Sequence, residues 1–294
     1  TASLNDNGEW ILIDLPPGTY VVTALAQLPE PDNALEKKQN DVQPPPIEDE
    51  RRFVSRQVEL TLDQEDLRNV TIELSEGGRI LGTVALNDSS PAPKVTISVR
   101  EKRADEFILN MPAGSQPDGT FIIDGVPAGE VLIDVDVPRY GEFYLESITF
   151  GSQDLMREPL RVEEGAQISG VRITLNQGFA SLSGRVQLSA GGKDAAGAGV
   201  LLAPADPALW RLASLRRFTT TNASGEFMLR LPPRDYLVFT WASGDQPLQN
   251  LEDFVRAQAG NARRITLHSK EEKQLDLTLT TKGTKDTKGT ERIF

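Results

Sequence analysis

His268 is the one histidine in the 294-residue sequence, and Glu271 follows it by three positions. An imidazole and a carboxylate so spaced can share a zinc ion, as in a metallopeptidase. Such a centre needs a further strong ligand, and the segment lies just before a strand-like alternation where polar residues are expected anyway. A serine triad has no G-x-S-x-G elbow for His268 to serve. "AGGKDAAGAG" (190–199) has a Gly-Lys pair but carries aspartate where a phosphate loop needs serine or threonine. The residue types therefore point to no catalytic centre, and a non-enzyme is expected.

Two binding chemistries stay open. The sequence has 43 acidic residues, and carboxylates in loops can cage calcium. The densest clusters are "LDQEDLRN" (62–69), with Asp63, Glu65 and Asp66, and the pair Asp134 and Asp136. Calcium is the only cofactor these loops could take, and neither cluster has the D-x-D-x-D-G pattern. Exposed aromatics beside polar groups can stack on sugars. Tyr140, Phe143 and Tyr144 fall together after Pro138, and Trp210 sits in the loop "PADPALWRLASLRRF", making Trp210, Tyr140 and Tyr144 the glycan-binding candidates. Trp241 ends a strand whose alternate residues face a core.

These residues must be positioned by elements that repeat. "NGEWILIDLPPGTY" (7–20) returns as "DGTFIIDGVPAGEV" (118–131) and as "SGEFMLRLPPRDY" (224–236). The turn glycines Gly8, Gly119 and Gly225 lie 111 and 106 residues apart, a domain-sized period. Each follows Asn, Asp or Ser, which suits a tight turn with positive φ. The aromatic two positions on (Trp10, Phe121, Phe227) is expected to fill a core. Pro16-Pro17 and Pro127 end the strand by removing a ladder donor. Gly18 and Gly129 are expected to let the chain reverse, and Tyr20, Val131 and Tyr236 begin the return strand. The motif reads as one hairpin of an antiparallel sandwich.

A second element follows each hairpin. Val70, Ile72 and Leu74, then Val171, Ile173 and Leu175, then Leu275, Leu277 and Leu279 alternate with polar residues, the pattern of a half-buried strand. A third precedes the motif in two copies: "GGRILGTVAL" (77–86) and "FASLSGRVQL" (179–188), with Gly82 and Gly184 marking a bulge or a close backbone approach. No such strand precedes Asn7. Residues 1–75 are thus expected to be an incomplete copy lacking its N-terminal strands, with an open sheet edge. Residues 76–177 and 178–280 are expected to be complete copies, the last with one short helix over 249–260, where Leu251, Phe254 and Val255 share a face and Gly260 could cap the end. Residues 28–50 read as a long polar insertion, and 281–294 as a disordered low-complexity tail.

Composition agrees with folded, water-exposed domains. Hydrophobic residues make up 38% and charged residues 25% of the chain, and no apolar run is long enough for a transmembrane helix. The net charge of −12 opposes nucleic acid and anionic membrane surfaces as partners. Cysteine is absent, which excludes disulfides and thiolate metal sites. The opening "TASLNDNGEW" has no signal-peptide pattern, and the chain reads as a mature or excised piece of a longer parent.

"DGTFIIDGVPAGEVLIDV" and its partners resemble the carboxypeptidase regulatory-like domains, and are similar to the Cna protein B-type repeats of bacterial surface proteins. "YLESITFGSQDL" (144–155) with "LRVEEGAQISGVRITL" resembles tandem versions in large exported bacterial proteins. The resemblance spans residues 1–280. It implies an all-β fold of tandem antiparallel transthyretin-like (prealbumin-like) Greek-key β-sandwiches, outside the cytoplasm and without catalysis. Cna-type domains often carry a Lys–Asn isopeptide bond beside a buried acid; here only Asp134, with Lys94 and Asn176, offers those types. The function implied is a structural or adhesive segment of a secreted, periplasmic or surface protein. The alternatives are a carbohydrate-binding module and an accessory domain of a peptidase or outer-membrane receptor outside this chain. Partners would be a glycan, another surface protein or neighbouring domains.

Overall fold

The computed structural model describes residues 5, 8–27, 52–55, 58–88, 90, 92–101, 111–137, 142–189, 191–244 and 251–279. The insertion at 28–50, the tail at 281–294 and Tyr140 lie outside the described residues. Three units follow one another, and each sheet is built from the strands of one unit.

The second unit shows the complete plan. Its strands are β6 (Gly78–Leu86), β7 (Thr96–Glu101), β8 (Met111–Gly114), β9 (Thr120–Val126), β10 (Gly129–Asp136), β11 (Tyr144–Phe150), β12 (Gln153–Asp154), β13 (Leu160–Val162) and β14 (Gln167–Asn176). They form one sheet in the order β12-β11-β14-β6-β9 and another in the order β13-β10-β7-β8. Alternation decides which side chains meet between them: Phe121 and Ile123 of β9, Val131, Ile133 and Val135 of β10, and Val171, Ile173 and Leu175 of β14 are all buried in one core.

In the third unit the strands are β15 (Ala180–Leu188), β16 (Gly199–Pro204), β17 (Arg217–Thr220), β18 (Glu226–Leu231), β19 (Asp235–Trp241), β20 (Arg263–Thr266), β21 (Glu272–Gln274) and β22 (Leu277–Leu279). One sheet runs β17-β16-β19-β20; the other places β15 between β18 and the β21–β22 pair. Helix α1 (Leu251–Gln258) stands where the second unit has β11 and β12 in sequence. Val255, with Leu251 and Phe254 partly buried, packs on Leu201, Ala203, Leu237, Phe239 and Trp241, the face of that sheet turned from the main core. Covered on both sides, β16 is buried along its whole length and reads as an unbroken apolar run. Gly260 lies in a 3-10 turn, Ala259–Asn261, that follows the helix.

The central strand has the same two neighbours in both complete units. β6 is antiparallel to β9 and parallel to β14; β15 is antiparallel to β18 and parallel to β21 and β22. Gly82 pairs with Phe121, and Gly184 with Phe227. A Cβ at Gly82 would stand 2.3 Å from the Val171 carbonyl oxygen and 2.4 Å from the Phe121 ring. The mid-strand glycine is thus explained by close approach on both sides, with the turn-motif aromatic lying over it.

The first unit contains β1 (Gly18–Val22), β2 (Leu25–Gln27), β3 (Arg52–Ser55), β4 (Val58–Leu62) and β5 (Leu74–Glu76). β1 pairs with β4, and the second sheet runs β2-β3-β5. The alternation of Val70, Ile72 and Leu74 becomes strand only from Leu74, because the central strand that pairs with β14 elsewhere has no counterpart among the described residues. Residues 9–13 likewise form no strand, and Trp10 is only half-buried rather than a core residue.

The turn glycines behave as expected, with φ of +76° at Gly8, +84° at Gly119 and +70° at Gly225. Gly129 also needs its positive φ of +141°. Gly18 does not: it opens β1 with no positive φ, and a Cβ there would meet only the Tyr20 ring at ordinary contact distance. Reversal before β1 instead involves Asp14, at φ +58°. The prolines have a further role. Tyr236 donates its buried hydroxyl to the Pro232 carbonyl oxygen at 2.8 Å, and Tyr20 does the same to Pro16.

Candidate functional site

The loop between β16 and β17 builds the contact between the second and third units. Asp206 caps the 3-10 turn Pro207–Leu209, accepting from Ala208 N at 3.0 Å, and Pro207 costs nothing where no donor is needed. A second 3-10 turn spans Ala213–Leu215. Leu209, Leu212 and Leu215 recur every three residues, the period of such turns, and all three are buried in the core cluster of the second unit. Trp210 points the other way. It packs with Leu201, Leu237, Phe239 and Trp241 of its own unit and donates Nε1 to the Pro204 carbonyl oxygen at 2.8 Å.

Between these leucines, Arg211 crosses to the second unit. One terminal nitrogen lies 3.3 Å from Asp134 Oδ1; the other donates to the carbonyl oxygens of Leu155 at 2.8 Å and Met156 at 3.1 Å. Arg100 Nε stands 2.6 Å from the other oxygen of Asp134, a second ion pair on the same carboxylate. Burial pushes the Asp134 carboxyl above its ordinary value, against the pull of Arg100 and Arg211. Burial also lowers the Arg211 pKa, with Asp134 opposing that shift. Each charge is costly to bury alone, and their pairing offsets part of that cost in the docked units.

The second unit returns the gesture at the rim. Arg157 pairs with its own Asp154 and reaches Asp206 of the third unit at 2.8 Å. Both carboxylates, Asp154 first, raise the arginine pKa. This pair is well exposed and contributes little alone. At the connection itself, Tyr144 meets Phe179 edge-to-face with centroids 5.1 Å apart, and the Arg230 guanidinium lies 5.0 Å from the Phe179 ring centre. Beside the joint is a cleft of about 500 Å³, lined by Glu146, Asp154, Arg157, Asp206, Arg234 and Arg264 among others. Acids and bases both line it, so it selects no single charge class.

The binding candidates from sequence are rearranged by this geometry. Trp210 and Tyr144 are each 5% exposed, so neither ring offers a face to a sugar. The expectation of exposed platforms is corrected: Trp210 packs on the outer sheet face of its own unit, and Tyr144 lies against Phe179 at the connection. Tyr140 lies outside the described residues. Asp63, Glu65 and Asp66 occupy an exposed loop where Asp66 pairs with Arg68 at 3.1 Å. No group of three or more metal-ligating side chains converges among the described residues. Glu271 accepts from the backbone N–H of His268 at 2.7 Å and pairs with Lys273 at 3.2 Å, which makes H-x-x-E a turn cap. Asp134 is bound to arginines, while Lys94 is exposed, so the three isopeptide residue types are not assembled.

Arg211 and the three leucines are what sequence reading passed over. Their signal was the three-residue spacing Leu209, Leu212, Leu215 within a loop.

No protein-family model matches the chain. No curated protein matches it in sequence. Solved structures that overlay on it include a streptococcal ancillary pilin, at 9% identity over 90% of this chain and 76% of that one, with a TM-score of 0.32. A minor pilin of Streptococcus agalactiae overlays at 10% identity over 73% of this chain and all (100%) of that one, with a TM-score of 0.35. The shaft pilin of Lactobacillus rhamnosus GG overlays at 12% identity over 70% and 99%, with a TM-score of 0.26. At these scores the overlays carry no argument about function; what the chain has is an all-β fold of sandwich units.

Proposed function

We propose that this chain is a noncatalytic structural segment of an exported bacterial protein, in which consecutive β-sandwiches (residues 1–75, 76–177 and 178–280) space or present other parts of the assembly outside the cytoplasm. The observation that supports this reading is the joint. The third unit places Leu209, Leu212 and Leu215 in the core cluster of the second and sets the half-buried Arg211 against Asp134. A freely hinged pair of domains has no use for a partly buried ion pair and shared apolar packing, whereas a stiff spacer does.

Absence of cysteine makes a direct test straightforward. Spin labels at Arg172→Cys in the second unit and Met228→Cys in the third, both exposed positions, report the distance between units. A single narrow distance distribution is expected, and it should broaden on adding Arg211→Ala. A broad distribution in the otherwise unaltered chain would refute the spacer reading.

A further inference from the structure

The third copy of the hairpin motif departs from the second at a position that faces the joint. Where the second unit has Gly129, at φ +141°, the third has Arg234, whose φ is not positive. Its backbone is fixed by Leu267 N, which donates to Arg234 O at 3.0 Å. Its side chain lines the cleft of about 500 Å³, with Nε buried and bonded to nothing. Burial lowers its pKa, and the nearby Arg157 adds to that shift. No carboxylate among the described residues pairs with this guanidinium, and a half-buried charge calls for a counter-charge.

Taken whole, the cleft lining mixes both signs, but its unengaged groups do not balance. Arg157 is spent on Asp154 and Asp206, and Asp235 accepts the Thr266 hydroxyl at 2.6 Å. What remains is Arg234 and Arg264 against Glu146, whose side chains make no ion pair or hydrogen bond with a described residue. Met156, Pro204 and Leu209 add an apolar wall.

We propose that the joint cleft binds a small hydroxy acid, with its single carboxylate on Arg234 and Arg264 and a hydroxyl on Glu146. Guanidinium forks match the planar carboxylate. A second negative charge would meet Asp154, Asp206 and Asp235, which line the same space, and a neutral polyol would leave Arg234 uncompensated. Hydroxyls supply the donor that Glu146 lacks, and the carbon frame lies on the apolar wall, as in most small-molecule sites. A free hydroxy acid and a uronic-acid residue of a polysaccharide carry this same chemistry. The second unit contributes Glu146 and Met156 and the third Arg234 and Arg264, so the site rests on the docked joint proposed above.

The test is titration calorimetry on the full chain at low salt, with sodium lactate and sodium D-galacturonate as probes and D-galactose and sodium sulfate as comparisons. At least one of the two acids should bind at a single site. Arg234→Ala should weaken that binding at least about tenfold, the loss of one charge-assisted contact, and the exposed Arg264→Ala should weaken it in the same direction. Arg161→Ala, an exposed arginine that does not line the cleft, should bind as the parent does. Galacturonate binding more tightly than lactate would assign the site to a uronic acid; binding no tighter would assign it to a free acid. Three results would overturn the proposal: neither acid binds, the arginine variants bind as the parent does, or galactose or sulfate binds as tightly as the acids. The spin-label distances measured on the same chain keep the two readings apart: a narrow distribution without binding removes the site and leaves the spacer.

Discussion

Gly184 lies so close to the strand beside it that a Cβ built there would stand 1.9 Å from the carbonyl oxygen of Leu275. Leu275 belongs to the parallel neighbour of β15, and its N–H in turn donates to Ser183 O at 2.8 Å. Backbone cannot retreat as a flexible side chain can, so a methyl group would have to separate the two strands. Gly184→Ala should cost about 2–3 kcal/mol or more, and Gly82→Ala a similar amount in the second unit. Gly260→Ala, with ordinary φ and nothing within 4 Å, should stay within about 0.5 kcal/mol of the parent. Urea denaturation of the three variants checks this.

Arg211→Ala removes one ion pair and two carbonyl contacts while leaving the half-buried Asp134 with Arg100 alone. Breaking a fully buried pair one-sidedly costs about 3–5 kcal/mol; because this pair is only partly buried and Arg100 remains, about 1–2 kcal/mol is expected here. Calorimetry should show the second and third units melting together in the parent and separately in the variant. Adding Asp134→Asn should cost less than the sum of the two single changes.

Trp210→Ala should destabilise the third unit by about 3–5 kcal/mol, the usual cost of truncating a buried tryptophan. Trp210→Phe keeps most of the bulk and loses only the bond to Pro204 O, so about 1 kcal/mol is expected. Fluorescence supplies a second readout. Trp210 and Trp241 are buried and Trp10 half-buried, so removing Trp210 should shift the remaining emission toward the red.

Burial pushes the Tyr236 hydroxyl far above its ordinary value of 10.0, against the opposing pull of Arg234 and Arg217. A group whose folded pKa is raised contributes stability in full below its unfolded pKa and loses it as pH rises beyond that value. Unfolding free energy should therefore fall as pH climbs above about 10, with Tyr144, also raised by burial, acting in the same window. Tyr236→Phe should make the alkaline slope shallower. Its cost at neutral pH is about 1 kcal/mol for the lost bond to Pro232 O. Denaturation curves from pH 8 to about 11.5 give both quantities.

Much of the architecture is legible in one dimension because it is local. The turn motif carries its own instructions: asparagine or aspartate to cap, glycine at positive φ, an aromatic two residues later and a proline to end the strand. The helix over 251–258 showed itself by its apolar face, and Gly82 and Gly184 marked a close approach before the neighbour was known.

What sequence could not show is which surfaces meet. Trp210 sits in a loop-like stretch, and Tyr144 follows Pro138 and a short segment holding Arg139, Gly141 and Glu142, so both read as exposed. Each is buried because another unit, or another layer of its own unit, covers it. Arg211 and Asp134 are 77 positions apart, and nothing in either neighbourhood names the other. Composition and periodicity record what a residue does within its own strand or turn. Only the docking of whole units decides which loop becomes a joint, and there a charged side chain is held by a partner that local sequence does not encode.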